Sequence, residues 1–100
     1  LGRVTFSQKD LTVFYFDHKT KQGEIVLNNK KFVLNKYHFD SKKEVYEIGN
    51  AEISIVTEPC TFKENEGSDC FYGSIKKIRI TSKEGVLTLQ DVDVQDCPLN

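Results

Sequence analysis

The fold this sequence predicts is all-β, a small antiparallel barrel of about eight strands. Three observations point there. Apolar and polar residues alternate along the whole length, turn signals recur roughly every ten residues, and no segment carries a helical stripe. A barrel fits better than an open sandwich, because closure removes sticky edges in a chain with no helix to cover them. At 100 residues the chain makes one domain, 1–100, with room for a single modest core.

The elements follow in order. A short strand at residues 3–7 precedes the first clear one, Leu11-Thr12-Val13-Phe14-Tyr15-Phe16. The polar run 17–23 leads to a strand at 24–27. Asn28-Asn29 then reads as a tight turn, because Asn tolerates the positive φ that a two-residue hairpin needs, and the return strand is 31–34. Strands at 44–48 and 52–57 are joined across Ile48-Gly49-Asn50-Ala51, and Pro59 stops the second because it has no N–H for a ladder. The longest strand is 71–81. Its apolar parity changes midway, with Phe71, Gly73 and Ile75 odd but Ile78 and Ile80 even. One residue must be absorbed near Lys76-Lys77, which predicts a β-bulge or a sharp bend. Residues 82–85 turn the chain into 86–89, and 92–97 extends it. There is no internal repeat, linker or low-complexity tract.

Fourteen Lys and Arg oppose fifteen Asp and Glu, a net charge of −1. That balance excludes a strongly basic nucleic-acid binder and gives no broad field for anionic membranes. No apolar run approaches the roughly 18 residues of a membrane helix, and no signal-peptide core is present. A first residue other than Met fits a mature or trimmed chain.

The three cysteines bear on compartment. Cys60 and Cys70 flank a polar segment with one aromatic, Phe62, and no core of its own. A Cys60–Cys70 bridge would hold that segment, and closing about 11 residues stabilises by roughly 3 kcal/mol in the chain-entropy model. The plain alternative is three buried thiols. Cys97 is then the odd one: a free thiol, a partner for Cys60 or Cys70, a thiol whose partner is gone, or an intermolecular bridge that makes a homodimer. The ten-residue spacing from Cys60 to Cys70, with no His close by, argues against zinc, and no metal or cofactor is expected. A bridge implies export to a periplasmic or extracellular location.

Phosphate-loop glycines, zinc-ligand pairs and nucleophile elbows are all missing, and no enzyme is expected. His18 and His38 read as solvated loop histidines. Lys30-Lys31, Lys42-Lys43 and Lys76-Lys77 are interrupted by acidic residues throughout and read as solvated strand ends rather than nucleic-acid contacts. Two segments stand out as binding loops. One is the acidic loop containing Glu64, Glu66 and Asp69. The other is the bend Gly73-Ser74-Ile75-Lys76-Lys77 with the turn Glu47-Ile48-Gly49-Asn50 facing it. Bulges re-aim side chains and often sit beside sites; a solvated loop and a merely structural bulge are the plain alternatives.

Several segments carry a family resemblance. Leu11-Thr12-Val13-Phe14-Tyr15, the stretch Ile25-Val26-Leu27-Asn28-Asn29-Lys30-Lys31-Phe32-Val33-Leu34, Val45-Tyr46-Glu47-Ile48-Gly49, Ile78-Arg79-Ile80-Thr81, Val86-Leu87-Thr88-Leu89 and the terminal Asp96-Cys97 together resemble the adhesin complex protein family, akin to MliC-type inhibitors of c-type lysozyme. The resemblance implies a compact eight-stranded barrel in the periplasm or on the outer membrane or cell surface, exported on a signal peptide that this chain does not carry. It implies tight binding of host c-type lysozyme and contact with host cells. In that family the terminal Cys pairs with one in the first strand; here that region reads Val4-Thr5-Phe6-Ser7, so the tie is absent. The 60–70 segment looks like an insertion relative to the family. Lysozyme's cleft holds two catalytic carboxylates, so cations and hydroxyls inserted there would bind well. Ser74, Lys76 and Lys77 are the candidates. Acidic residues Glu47, Glu64, Glu66 and Asp69, with Gly49 and Asn50 in the turn, would meet the basic surface around the cleft and speed encounter.

Overall fold

The computed structural model describes residues 2–63 and 69–98. Ten strands make it up: β1 (Gly2–Gln8), β2 (Leu11–Asp17), β3 (Gln22–Leu27), β4 (Lys30–Leu34), β5 (Lys36–Asp40), β6 (Val45–Gly49), β7 (Ser54–Thr57), β8 (Thr61–Lys63), β9 (Phe71–Ser82) and β10 (Gly85–Pro98). Nine of them run in the order β4-β3-β2-β1-β10-β9-β7-β6-β5, antiparallel throughout, and curl into a nearly closed barrel. β8 lies off this path and pairs with β9.

Period-two alternation does the folding work. Val4 and Phe6 of β1, Phe14 and Phe16 of β2, Tyr46 and Ile48 of β6, and Ile55 of β7 all point inward and are buried. Asn28 and Asn29 take φ of 50° and 64°, the paired left-handed conformation that a two-residue hairpin needs. The path ends, β4 and β5, are consecutive in the chain and meet at the seam. Asn35 N–H donates to the Gly49 carbonyl (2.9 Å), and Asn50 Nδ2 donates to the Val33 carbonyl (2.7 Å). At one end of the barrel Asn28 Nδ2 also donates to Glu84 Oε2 (2.8 Å), tying the β3–β4 turn to the β9–β10 turn.

Aromatic rings fill the middle. Phe6 stacks on Phe14 with centroids 4.2 Å apart and meets Tyr46 edge-on at 5.2 Å. Phe39 lies 4.6 Å from Tyr46, and Tyr37 stacks on Phe16 at 5.1 Å. Such pairs add roughly 0.5–1.5 kcal/mol each beyond the area they bury. β5 therefore belongs to the core through Tyr37 and Phe39, although the sequence left residues 36–40 without an element.

The long β9–β10 ribbon is the spine. β10 pairs β1 on one side and β9 on the other, and β9 carries both β7 and β8. The change of face at Lys76-Lys77 is present: Gly73 and Ile75 are buried, Lys76 and Lys77 are both exposed, and Ile78 and Ile80 are buried. It is not a bulge in one strand, however. The register holds from Gly85↔Ser82 to Asp96↔Phe71, because β10 changes face at the same level. There Gln90 and Asp91 are both exposed, between Leu89, which packs on the core, and buried Val92. Lys76 and Asp91 are the residues that stand outside the ladder.

The expected Cys60–Cys70 bridge is replaced by Cys70–Cys97, and Cys60 is a free thiol. The reason is register. One step beyond Asp96↔Phe71, the ladder sets Cys97 directly across from Cys70, whereas a bulge in β9 alone would have offset them. Cys60 instead turns into the core, 2% exposed, its N–H on the Glu44 carbonyl at 2.8 Å. Its sulfur lies 2.6 Å from where a Cβ on Gly73 would stand, so a larger residue there would have to displace the buried thiol. Burial, with the Glu44 charge behind it, pushes the Cys60 thiol up to about 11.

A thiol count checks this arrangement. The denatured, unreduced protein is expected to show one reactive thiol and the native protein none, with a digest giving a Cys70–Cys97 linked peptide. Cys97→Ser should lower stability by about 2–4 kcal/mol in urea unfolding; a Cys60–Cys70 peptide would reject the register.

Candidate functional site

Consecutive residues of a strand normally point to opposite faces. At the β9–β10 bend they do not, and four exposed side chains gather: Lys76, Lys77, Gln90 and Asp91. Lys77 faces Gln90 across the ladder, and Lys76 stands at the level of Asp91. Asp91 has φ of 54°, a left-handed conformation that Asp accepts at little cost. Two further hydrogen bonds hold the bend from either side. Gln8 Nε2 donates to the Gln90 carbonyl (2.6 Å), and Glu58 N–H donates to the Lys77 carbonyl (2.9 Å). The two amines thus project from a sheet fixed on both flanks, not from a loop.

Ser74 lies on the same outer face, half-buried between Thr61 of β8 and Asp93 of β10. The other sequence candidates lie apart. Glu47 is exposed on β6 in a row that runs Glu47, Val56, Arg79, about 10 Å from Arg79 at strand spacing. Gly49 pairs with Ser54, which pairs with Thr81, four positions or roughly 13 Å along β9 from Lys77. Asn50 is occupied with structure. Its Oδ1 accepts from the N–H groups of Glu52 and Ile53, both at 2.7 Å, while its Nδ2 closes the seam. Residues 47–50 border a shallow hollow of about 370 Å³ with Lys36, His38 and Ser54. Asp69 is exposed beside Cys70, roughly 23 Å along the chain from Lys76. Glu64 and Glu66 lie outside the described residues.

Sequence reasoning did not single out Gln90 and Asp91. Their signal is the parity of Leu87 and Leu89 against Val92 and Val94, which mirrors the change in β9. Another group it missed lies toward the Cys70–Cys97 end of the lumen. Asp96 continues the inward series Val92, Val94, and its neighbours across the ladders are Val4 and Phe71. His18 is packed rather than solvated, edge-on to Tyr37 at 4.4 Å and to Phe16 at 5.5 Å. His38 is exposed on β5, opposite Glu47. Burial raises the Asp96 carboxyl above its usual range, and the His18 imidazole pulls the other way. Burial also raises the phenols of Tyr37 and Tyr46, with Asp96 adding to both. This group is half-enclosed and stabilises its neutral forms, whereas the lysine bend is open and charged. Among the described residues, no three His, Cys, Asp or Glu side chains gather as metal ligands would.

Compared with protein-family models, with curated proteins and with solved structures, the chain finds no match in any of the three. The site therefore stands on its own geometry.

A carboxyl whose folded pKa is raised favours folding while it is protonated, and that contribution is lost as pH rises through the folded value. Asp96→Asn removes the cost of ionising a half-buried group. The variant is expected to unfold at higher urea than the wild type at pH 7 and at the same urea near pH 3. Equal midpoints at both pH values would contradict the placement of Asp96.

Proposed function

We propose that this chain is a non-catalytic inhibitor of c-type lysozyme that seats the Lys76 and Lys77 amines in the enzyme's acidic cleft. The observation that carries the reading is the paired projection at the bend, where two consecutive amines leave a rigid ribbon on one side. A cleft with two carboxylates is a natural receptor for them, since charge-assisted hydrogen bonds are the strong ones. The fixed backbone matters as well as the charge, because little backbone freedom is left to lose on docking. Ser74 on the same face adds a hydroxyl. Asp91, Asp93 and Glu58 around the bend would favour approach to a basic protein surface. The disulfide agrees with an oxidising compartment, and the reading places the protein in the periplasm or on the cell surface.

One observation favours a second reading, a surface adhesin. Val26, Val86 and Leu87 are 57%, 63% and 48% exposed around a groove of about 250 Å³, at the barrel end marked by the Asn28–Glu84 hydrogen bond. Apolar groups gathered on a small domain often mark a contact surface.

Lysis of a Gram-positive cell suspension by c-type lysozyme separates the two. Added protein is expected to slow lysis, with Lys76→Ala and Lys77→Ala each weakening inhibition at least tenfold, in line with truncating one partner of a buried charge pair. An unchanged lytic rate at several-fold molar excess would sink the inhibitor reading. Unchanged potency of both variants would move the contact away from the bend.

A further inference from the structure

We infer that Lys76 and Asp91 are a matched insert, one extra residue in each strand of the β9–β10 ribbon, whose role is to present a ligand-binding pair of amines rather than to build the barrel. The pattern of faces carries this. On β9, Gly73 and Ile75 point inward, and so do Ile78 and Ile80. Without Lys76 the series Gly73, Ile75, Ile78, Ile80 alternates without a break, with Ser74, Lys77 and Arg79 outward. On β10, Leu89 packs inward before Asp91, and Val92 and Val94 are buried after it. Without Asp91 that strand too alternates without a break, with Gln90 and Asp93 outward. The two residues stand level with each other, and they are the only positions between Gly85 and Asp96 on β10, and between Phe71 and Ser82 on β9, that the ladder skips.

An extra residue in one strand alone either moves every pair beyond it by one or has to be absorbed as a bulge. The match here keeps Val92, Val94 and Asp96 opposite Ile75, Gly73 and Phe71, and so keeps Cys97 opposite Cys70. Removing both residues leaves the pairing intact on each side of the bend, and what it takes away is the second consecutive amine. The left-handed backbone at Asp91 (φ 54°) is the local means by which β10 absorbs its half. The class of ligand the two amines suit is a pair of closely spaced carboxylates, and in that respect the inference rests on the function proposed above.

Three full-length variants test it. Deletion of Asp91 alone leaves Lys76 unmatched, so β9 must bulge or the pairs beyond must slip, and either should lower both the urea midpoint and the yield of the Cys70–Cys97 linked peptide after oxidative refolding. Deletion of Lys76 together with Asp91 should restore both to near wild type while weakening lysozyme inhibition at least tenfold. Asp91→Gly, which keeps the left-handed backbone and removes the carboxylate, should match the wild type in linked-peptide yield and urea midpoint. A double deletion as damaged as the single one would show the bend to be a folding element and overturn the inference. A double deletion that folds and inhibits like the wild type would overturn the presenting role. Failure of the wild-type protein to inhibit lysozyme defeats the proposed function instead, and the insert is then judged on the linked-peptide yield and urea midpoints, which use no lysozyme.

Discussion

The register of the β9–β10 ribbon is the constraint on which the rest of this molecule depends. The Lys83-Glu84 turn sets it, and it holds across eleven pairs from Gly85↔Ser82 to Asp96↔Phe71. Every other part of the barrel is hung on one of its two free sides. β1, and through it β2, β3 and β4, attach to β10; β7, β8 and the strands beyond attach to β9. A slip of one residue would turn Val92 and Val94 to solvent and carry Asp93 and Gln95 into the core. The Cys70–Cys97 bridge clamps the open end of the ribbon, and the chain-entropy model gives such a loop about 3.5 kcal/mol. The bend at Lys76 and Asp91 is admissible because it leaves that register untouched.

The division between frame and site follows from the same ribbon. On the turn side of the bend, Ile80 pairs with Ile55 and Ile78 with Thr57; beyond it, Val94 pairs with Phe6, and Ile75 and Val92 join the same core as Phe14. Between them lies a stretch where neither strand buries a side chain, and charge stands there without desolvation. The lumen end is the contrast. The bend keeps its charges solvated, whereas Asp96, Tyr37 and Tyr46 lie where burial works against their ionised forms, beside the packed ring of His18.

Much of the barrel was legible in the sequence because alternation and turn chemistry are local. Asn28-Asn29 and Pro59 marked their boundaries by backbone chemistry alone, and the parity change in β9 showed in Gly73, Ile75, Ile78 and Ile80. The bridge was legible too, though only to register arithmetic: a two-residue turn at Lys83-Glu84, with no net slip, sets Cys97 across from Cys70. The Cys60–Cys70 expectation rested on the polar segment between the two residues and did not use this register. β5 was harder. Its Tyr37 and Phe39 alternate with Lys36, His38 and Asp40, but a half-buried edge strand of five residues carries little pattern. β8 has three residues, all exposed, and takes its strand form from pairing with β9. Asn50 looked like a binding residue because turns carry exposed polar groups, yet its side-chain amide is spent on Val33, Glu52 and Ile53. The position of His18 depends on a ring, Tyr37, from a strand far along the chain, which no local pattern reveals.

What binds, and where, is decided most directly by an NMR titration of the isotope-labelled protein with unlabelled c-type lysozyme. Backbone shifts concentrated at Ser74, Lys76, Lys77, Gln90 and Asp91, with the core strands unmoved, are the expected result. Shifts concentrated around Val26, Val86 and Leu87, or no shifts at all, with the bend unchanged, would contradict the account.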